Sequence, residues 1–330
     1  MRIPSTKWLL IIITWLLVSG CHRGEKRYDS SSSTDVSVPI TPLAATTAPG
    51  ALPSTKERAT HNWYGWLSDG HELGAPGEFL RDRIAPPKPL LRDPEEVDSL
   101  AEWLRFLPLF PKGAKVRNAL GEELAKGDDS SVAAVIQMVV PKNCRENSVG
   151  IAYRLHAEWL WNQGERKLSF RTATDEQLPF VLWARGERPT LSGRKVIFSK
   201  GIPAPIPIEH SELRDYLNGI LPFLDVGAVL KHSRALSPGE VRAGDVFLHV
   251  AAPEELVVVL DTASYPKAGK RAFLLGRAFQ PCSSLCVAQA SKESPWFFVD
   301  GKAPIAVAGL KPFEWSEARR LRTYGYSATP

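Results

Sequence analysis

The sequence predicts an α+β domain in which a central helix packs on an antiparallel β meander. Two observations lead there. Residues Asn147–Gly164 (NSVGIAYRLHAEWLWNQG) place Ser148, Ala152, Leu155 and Trp159 on one helical stripe, with Val149, Ile151 and Leu160 at its edges. From Gly244 onward the pattern changes to aliphatic and β-branched runs separated by hairpin-length connections. Helical segments followed by a block of strands indicate α+β rather than alternating α/β.

Residues 1–20 have the layout of a lipoprotein signal peptide: Arg2 and Lys7 precede the apolar run Trp8–Val18, which is short for a membrane span. Val18-Ser19-Gly20-Cys21 resembles a bacterial lipobox, so Cys21 is the expected lipidation site. The chain is then exported and anchored by its lipid to a bacterial membrane, inner or outer. Residues 21–60, with SSSST and a Pro/Ala/Thr mixture, lack the apolar residues for a core and form a flexible tether. Residues 61–330 are expected to fold as a single domain.

Within that domain, His61–Asp69 is an aromatic strap, and the Gly/Pro-rich residues 70–96 are mostly irregular. Ser99–Leu107 has helical spacing, closed by Pro108 and Pro111. Ala133–Val140 reads as a buried strand, and Pro141–Glu146 as the turn into the central helix. Asn147 or Ser148 caps that helix, Gly164 stops it, and Arg154 and Glu158 face water. Next come a strand at Leu168–Thr172, a helix at Gln177–Arg185 and a strand at Lys195–Ser199. His210–Phe223 and Val226–Arg234 are helical, and the meander runs through Val246–Val250, Leu256–Asp261 and Ala272–Leu275.

The formal charge is +5 and the excess is spread along the chain, apart from Arg319-Arg320-Leu321-Arg322, so no nucleic-acid partner is expected. With Cys21 lipidated, Cys144, Cys282 and Cys286 remain, an odd number for an oxidising compartment; Cys282 and Cys286 are spaced to bridge a short loop. The seven histidines are scattered, and neither HExxH nor CxxC occurs, so neither a metal nor another cofactor is indicated.

Six phrases in order (SLAEWLRFLPL, YRLHAEWLWNQG, LSFRTAT, GDVFLHVAAPEELVVVLDTA, FLLGRAFQP and SPWF) resemble a family of uncharacterised secreted bacterial lipoproteins, a domain of unknown function, from about Leu100 to Trp315. That family's layout is similar to papain-like and NlpC-type cysteine hydrolases: a cysteine opens the central helix, a histidine starts a strand and a polar residue follows on the next. The resemblance implies a papain-like-related fold. It also places the three catalytic positions at Ser148, Glu255 and Arg277. All three depart from the pattern. A serine hydroxyl stays un-ionised where a thiol would gain from the helix N-terminus, and a carboxylate is a weaker base than imidazole at neutral pH. Arg277 is placed to pair with Glu255 across neighbouring strands.

The expected function is therefore a membrane-tethered envelope lipoprotein with a catalytically degenerate papain-like site, holding peptidoglycan, a peptide or a protein partner. Ser148 is expected to cap rather than attack, and His156, two turns along, is expected to be a core histidine. The alternative is an active cysteine peptidase or cell-wall amidase using Cys144 and His249. Glu254 and Glu255 cannot act as a glycosidase pair, because adjacent strand residues face opposite sides.

Overall fold

The runs after Gly244 are apolar at nearly every position, as required of strands covered on both faces. The computed structural model describes residues 63–69, 73, 78–124, 130–140, 142, 144, 149–251, 253–265, 269–279, 282–322 and 324–325. The expected signal peptide, Cys21 and the tether lie outside these residues, as do Asn147 and Ser148.

The main sheet has nine antiparallel strands. These are β1 (Leu91–Arg92), β2 (Val132–Val135), β3 (Ser233–Ala235), β4 (Val246–His249), β5 (Glu255–Tyr265), β6 (Lys270–Arg277), β7 (Cys286–Ala288), β8 (Phe297–Val299) and β9 (Ala318–Leu321). Their order is β2-β7-β6-β5-β4-β9-β3, with β1 added to β5 and β8 to β6. The expected meander is β4-β5-β6, in register at Phe247 with Val257 and at Val259 with Leu275. A bulge follows between Val259 and Asp261.

Alternation splits the sheet into two apolar faces. Val246, Leu248, Leu256, Val258, Leu260 and Leu274 join the main core with Ile151, Ala152 and Leu155 of the central helix. Phe247, Val257, Val259, Phe273 and Leu275 form a second core with Ile305, Val307 and Phe313 from the C-terminal loops. Each such buried side chain contributes about 1.5–3 kcal/mol relative to exposure.

Besides the single helical turn Leu80–Arg83, the α-helices of the described residues are α1 (Leu100–Arg105), α2 (Gly150–Asn162), α3 (Phe180–Ala184), α4 (His210–Ile220) and α5 (Val226–Lys231). Ser99 caps α1, its Oγ accepting the Glu102 N–H at 3.1 Å. Gly164 ends α2 with φ +78°, as its position in the sequence suggests. Among the described residues, no helix is long and apolar enough to cross a membrane.

Three expectations are corrected by tertiary packing. Arg154 and Glu158 do not face water; they are 6% and 3% exposed. The strap at 63–69 and α4 cover that side of α2, and the charges are met there. Arg154 Nη2 donates to Val139 O at 2.7 Å, and Glu158 Oε2 lies 2.6 Å from His210 Nε2. His210 Nδ1 in turn lies 2.6 Å from Asp69 Oδ2. Gly65 permits this, because a Cβ there would run into the His210 ring. Secondly, Gln177–Pro179 is extended and pairs with Leu168–Arg171, leaving only the short α3 helical. Thirdly, the helix expected over Val226–Arg234 stops at Lys231, and Ser233–Ala235 becomes β3 against β9.

Candidate functional site

Of the three catalytic positions implied by resemblance, Ser148 lies outside the described residues. Glu255 and Arg277 come to one place, the loop 308–311, but they do not pair there. Glu255 Oε2 accepts the Lys311 N–H at 3.2 Å, while Arg277 Nη1 donates to Ala308 O at 2.6 Å. The Arg277 guanidinium also lies over the Phe279 ring, 4.1 Å from its centre. Strand register explains the missing pair. Val258 opposes Gly276, so Arg277 lies across from position 257, diagonal to Glu255. Backbone groups of the loop reach each charge directly.

The alternative pair of Cys144 and His249 is not formed. Cys144 is joined to Cys282 by a disulfide spanning 138 residues, with Cα atoms 6.1 Å apart. A disulfide sulfur is neither thiol nor thiolate and cannot attack a carbonyl. The pairing of Cys282 with Cys286 is likewise corrected. Cys286 is fully buried beside Val116 and Val135, its sulfur 3.5 Å from Arg277 O. His249 has the parity of Phe247, on the second face of the sheet, and its Nδ1 lies 2.8 Å from Glu317 Oε1.

A different place has the features of a ligand site. A cavity of about 530 Å³ opens between the segment before α1, the middle of α2, the turn before β4 and the end of β9. Gly244, with φ +92°, makes that turn; a Cβ there would press on Leu100 of α1. One wall is internally neutralised. Asp245 is 1% exposed and receives Arg320 through Nε at 2.7 Å and Nη2 at 2.8 Å, a bidentate pair.

The other wall is not balanced in this way. Asp261 is completely buried and takes Arg92 Nε at 2.6 Å and Arg105 Nε at 2.8 Å. Arg105 is also the cation nearest Glu95, at a looser 3.4 Å. Burial raises the Glu95 pKa to about 7; Arg105 works against the rise, while Asp261 and Asp93 add to it. Beside it, His156 is 6% exposed. Its Nδ1 lies 2.8 Å from Ala152 O, so Nδ1 carries the proton and Nε2 is left as a lone pair on the cavity wall. Burial holds the His156 pKa below 6.5 and keeps the ring neutral. Nε2 meets no hydrogen-bond partner among the described residues.

Sequence reasoning missed this site. Asp93, Glu95 and Arg105 sit in stretches with no motif spacing, and His156 was assigned to the core, where its burial places it. The only signal was an odd one, a run of acids in a Pro-containing stretch (RDPEE) directly before a capped helix. Among the described residues, no group of three or more His, Cys, Asp or Glu is placed to hold a metal ion.

A family described as a domain of unknown function, DUF4846, matches residues 80–320, and the chain belongs to it. The match encloses the stretch Leu100–Trp315 over which the resemblance runs. No curated protein and no solved structure matches the chain.

Proposed function

We propose that this family member is an exported, lipid-anchored envelope protein of papain-like ancestry that binds a ligand in the Glu95 cavity without hydrolysing it. One observation carries the reading. Glu255 and Arg277, two of the implied catalytic positions, are engaged by the backbone of the loop 308–311, while Glu95 and His156 line a cavity. A lone pair that meets no partner among the described residues and belongs to a cavity-lining ring can accept a donor from a ligand.

Export is supported by the Cys144–Cys282 disulfide, which persists in oxidising compartments, and by the signal pattern ending at Cys21. The ligand is a polar group of peptidoglycan, of a peptide or of a protein partner, the classes an envelope protein meets.

Two measurements test this. Metabolic labelling with a fatty-acid analogue should mark the wild-type chain and not Cys21→Ser. Peptidoglycan fragments and peptides incubated with the purified chain should be bound but recovered intact by mass spectrometry. Cleavage products that vanish in Glu255→Gln or Cys144→Ser would return the hydrolase reading.

A further inference from the structure

We infer that the cavity beside Glu95 binds a primary ammonium group. The inference rests on the reading of this cavity as a ligand site and adds the chemistry of its occupant. Beside the Ser99 and Thr262 hydroxyls, this wall carries three acceptors: the Glu95 carboxylate, the Asp93 carboxylate, whose Oδ1 already takes the Ser264 hydroxyl at 2.5 Å, and the neutral His156 Nε2. A primary ammonium offers three N–H donors and one positive charge, which matches such a wall in both number and sign. An anion would meet carboxylates here, and a neutral hydroxyl would bring no charge to Glu95, whose ion-pair partner among the described residues is Arg105 at 3.4 Å.

The cations already present do not meet that demand. Arg105 is directed chiefly at Asp261 and reaches Glu95 only at 3.4 Å. Arg92 is also bound to Asp261, Arg271 stands 3.9 Å from Asp93, and Arg320 is held by Asp245. Trp159 lines the same space, its Nε1 donating to Asp98 O at 3.1 Å, so an aromatic surface adjoins the carboxylates. Arg242 lies exposed on the rim. It would hold a carboxylate if the ammonium belongs to an amino-acid end of a peptide rather than to a free amine.

Binding of an ammonium favours ionised Glu95 and releases its proton. The charged groups facing Glu95 are Arg105 from α1, Asp261 from β5, Asp93 from its own segment and Arg242 from the turn before β4. Across the cavity stand His156 and the Asp245–Arg320 pair. Burial holds the His156 pKa below 6.5, while that of Glu95 is raised to about 7, so Glu95 is the group whose charge change is centred between pH 6 and 8.

The probes are cadaverine, L-lysine, 1,5-pentanediol and glutarate, added to the full chain while the Trp159 indole resonance is followed by NMR. The expected result is that the amines shift Trp159 and bind about tenfold tighter at pH 8 than at pH 6, with Glu95→Gln weakening them by about tenfold and flattening the pH dependence. Cadaverine bound more tightly than lysine marks a free amine as the source; lysine bound more tightly marks an amino-acid end steered by Arg242. Binding of glutarate or pentanediol without the amines overturns the ammonium assignment and leaves the cavity standing as a ligand site. Silence from all four probes overturns both.

Discussion

The loop 308–311 and the Glu95 cavity both gather carboxylates and guanidinium groups, yet they differ in how those charges are met. At the loop, Glu255 and Arg277 are each met by a backbone group of opposite polarity. At the cavity, two arginines converge on one fully buried aspartate, and Glu95 is left with a distant share of Arg105. A charged residue at a position implied by resemblance is thus no guide to where a ligand would bind. The informative feature is a set of acceptors lining a cavity with few donors of their own.

The largest effect should follow from breaking the anchor of the cavity wall. Asp261→Ala would leave the Arg92 and Arg105 guanidiniums buried without their carboxylate and should cost about 3–5 kcal/mol in denaturant unfolding. A loss under about 1 kcal/mol would mean that the arginines find water, and the account of the wall would fail.

Next in size is the disulfide. Reduction, or Cys144→Ser, should lower stability by about 2–5 kcal/mol while leaving ligand binding in the cavity unchanged. Loss of binding in the reduced, still folded chain would instead connect the two regions.

Smaller effects come from pH. Burial alone would lower the His210 pKa, but Glu158 and Asp69 outweigh it and raise it to about 9. Because this is above the unfolded value, the stabilisation is fully present below about pH 6.5 and disappears as pH rises through about 9. The drop should be absent in His210→Gln, which unfolding curves taken across that range would reveal. Glu95 acts with the same sign in a lower pH window. Its raised pKa means that the folded chain holds a proton the unfolded chain releases, so stability falls between about pH 4.5 and 7. Glu95→Gln should therefore be stabilising at pH 8, by on the order of 1 kcal/mol.

The smallest effect belongs to the loop itself. Glu255→Gln should change stability by less than about 1 kcal/mol and leave ligand affinity untouched. A large change in either would give Glu255 a role in the function.

Much of the architecture was legible because it depends on local pattern. The α2 periodicity with Gly164 beyond it, the Ser99 cap and the apolar runs of β4, β5 and β6 all specify their elements without long-range information. The α+β class followed from their order. What was not legible depended on partners distant in sequence. Gln177–Pro179 became a strand because Leu168–Arg171 offered it a ladder, and Arg154 and Glu158 were covered because His210, some fifty residues later, brought a matching charge. Arg320 belonged to a basic cluster that reads as solvated surface; Asp245 drew it inward.

The sequence by itself determined the central helix α2, the capped start of α1, the meander and the polarity of the implied catalytic positions, since side-chain period and chemistry at a position are properties of the chain. Only the tertiary structure decided that Cys144 pairs with Cys282, that Glu255 and Arg277 meet a loop rather than each other, and that Glu95 and His156 share a cavity. Those outcomes depend on which distant groups burial brings within hydrogen-bond reach and which it leaves unsatisfied.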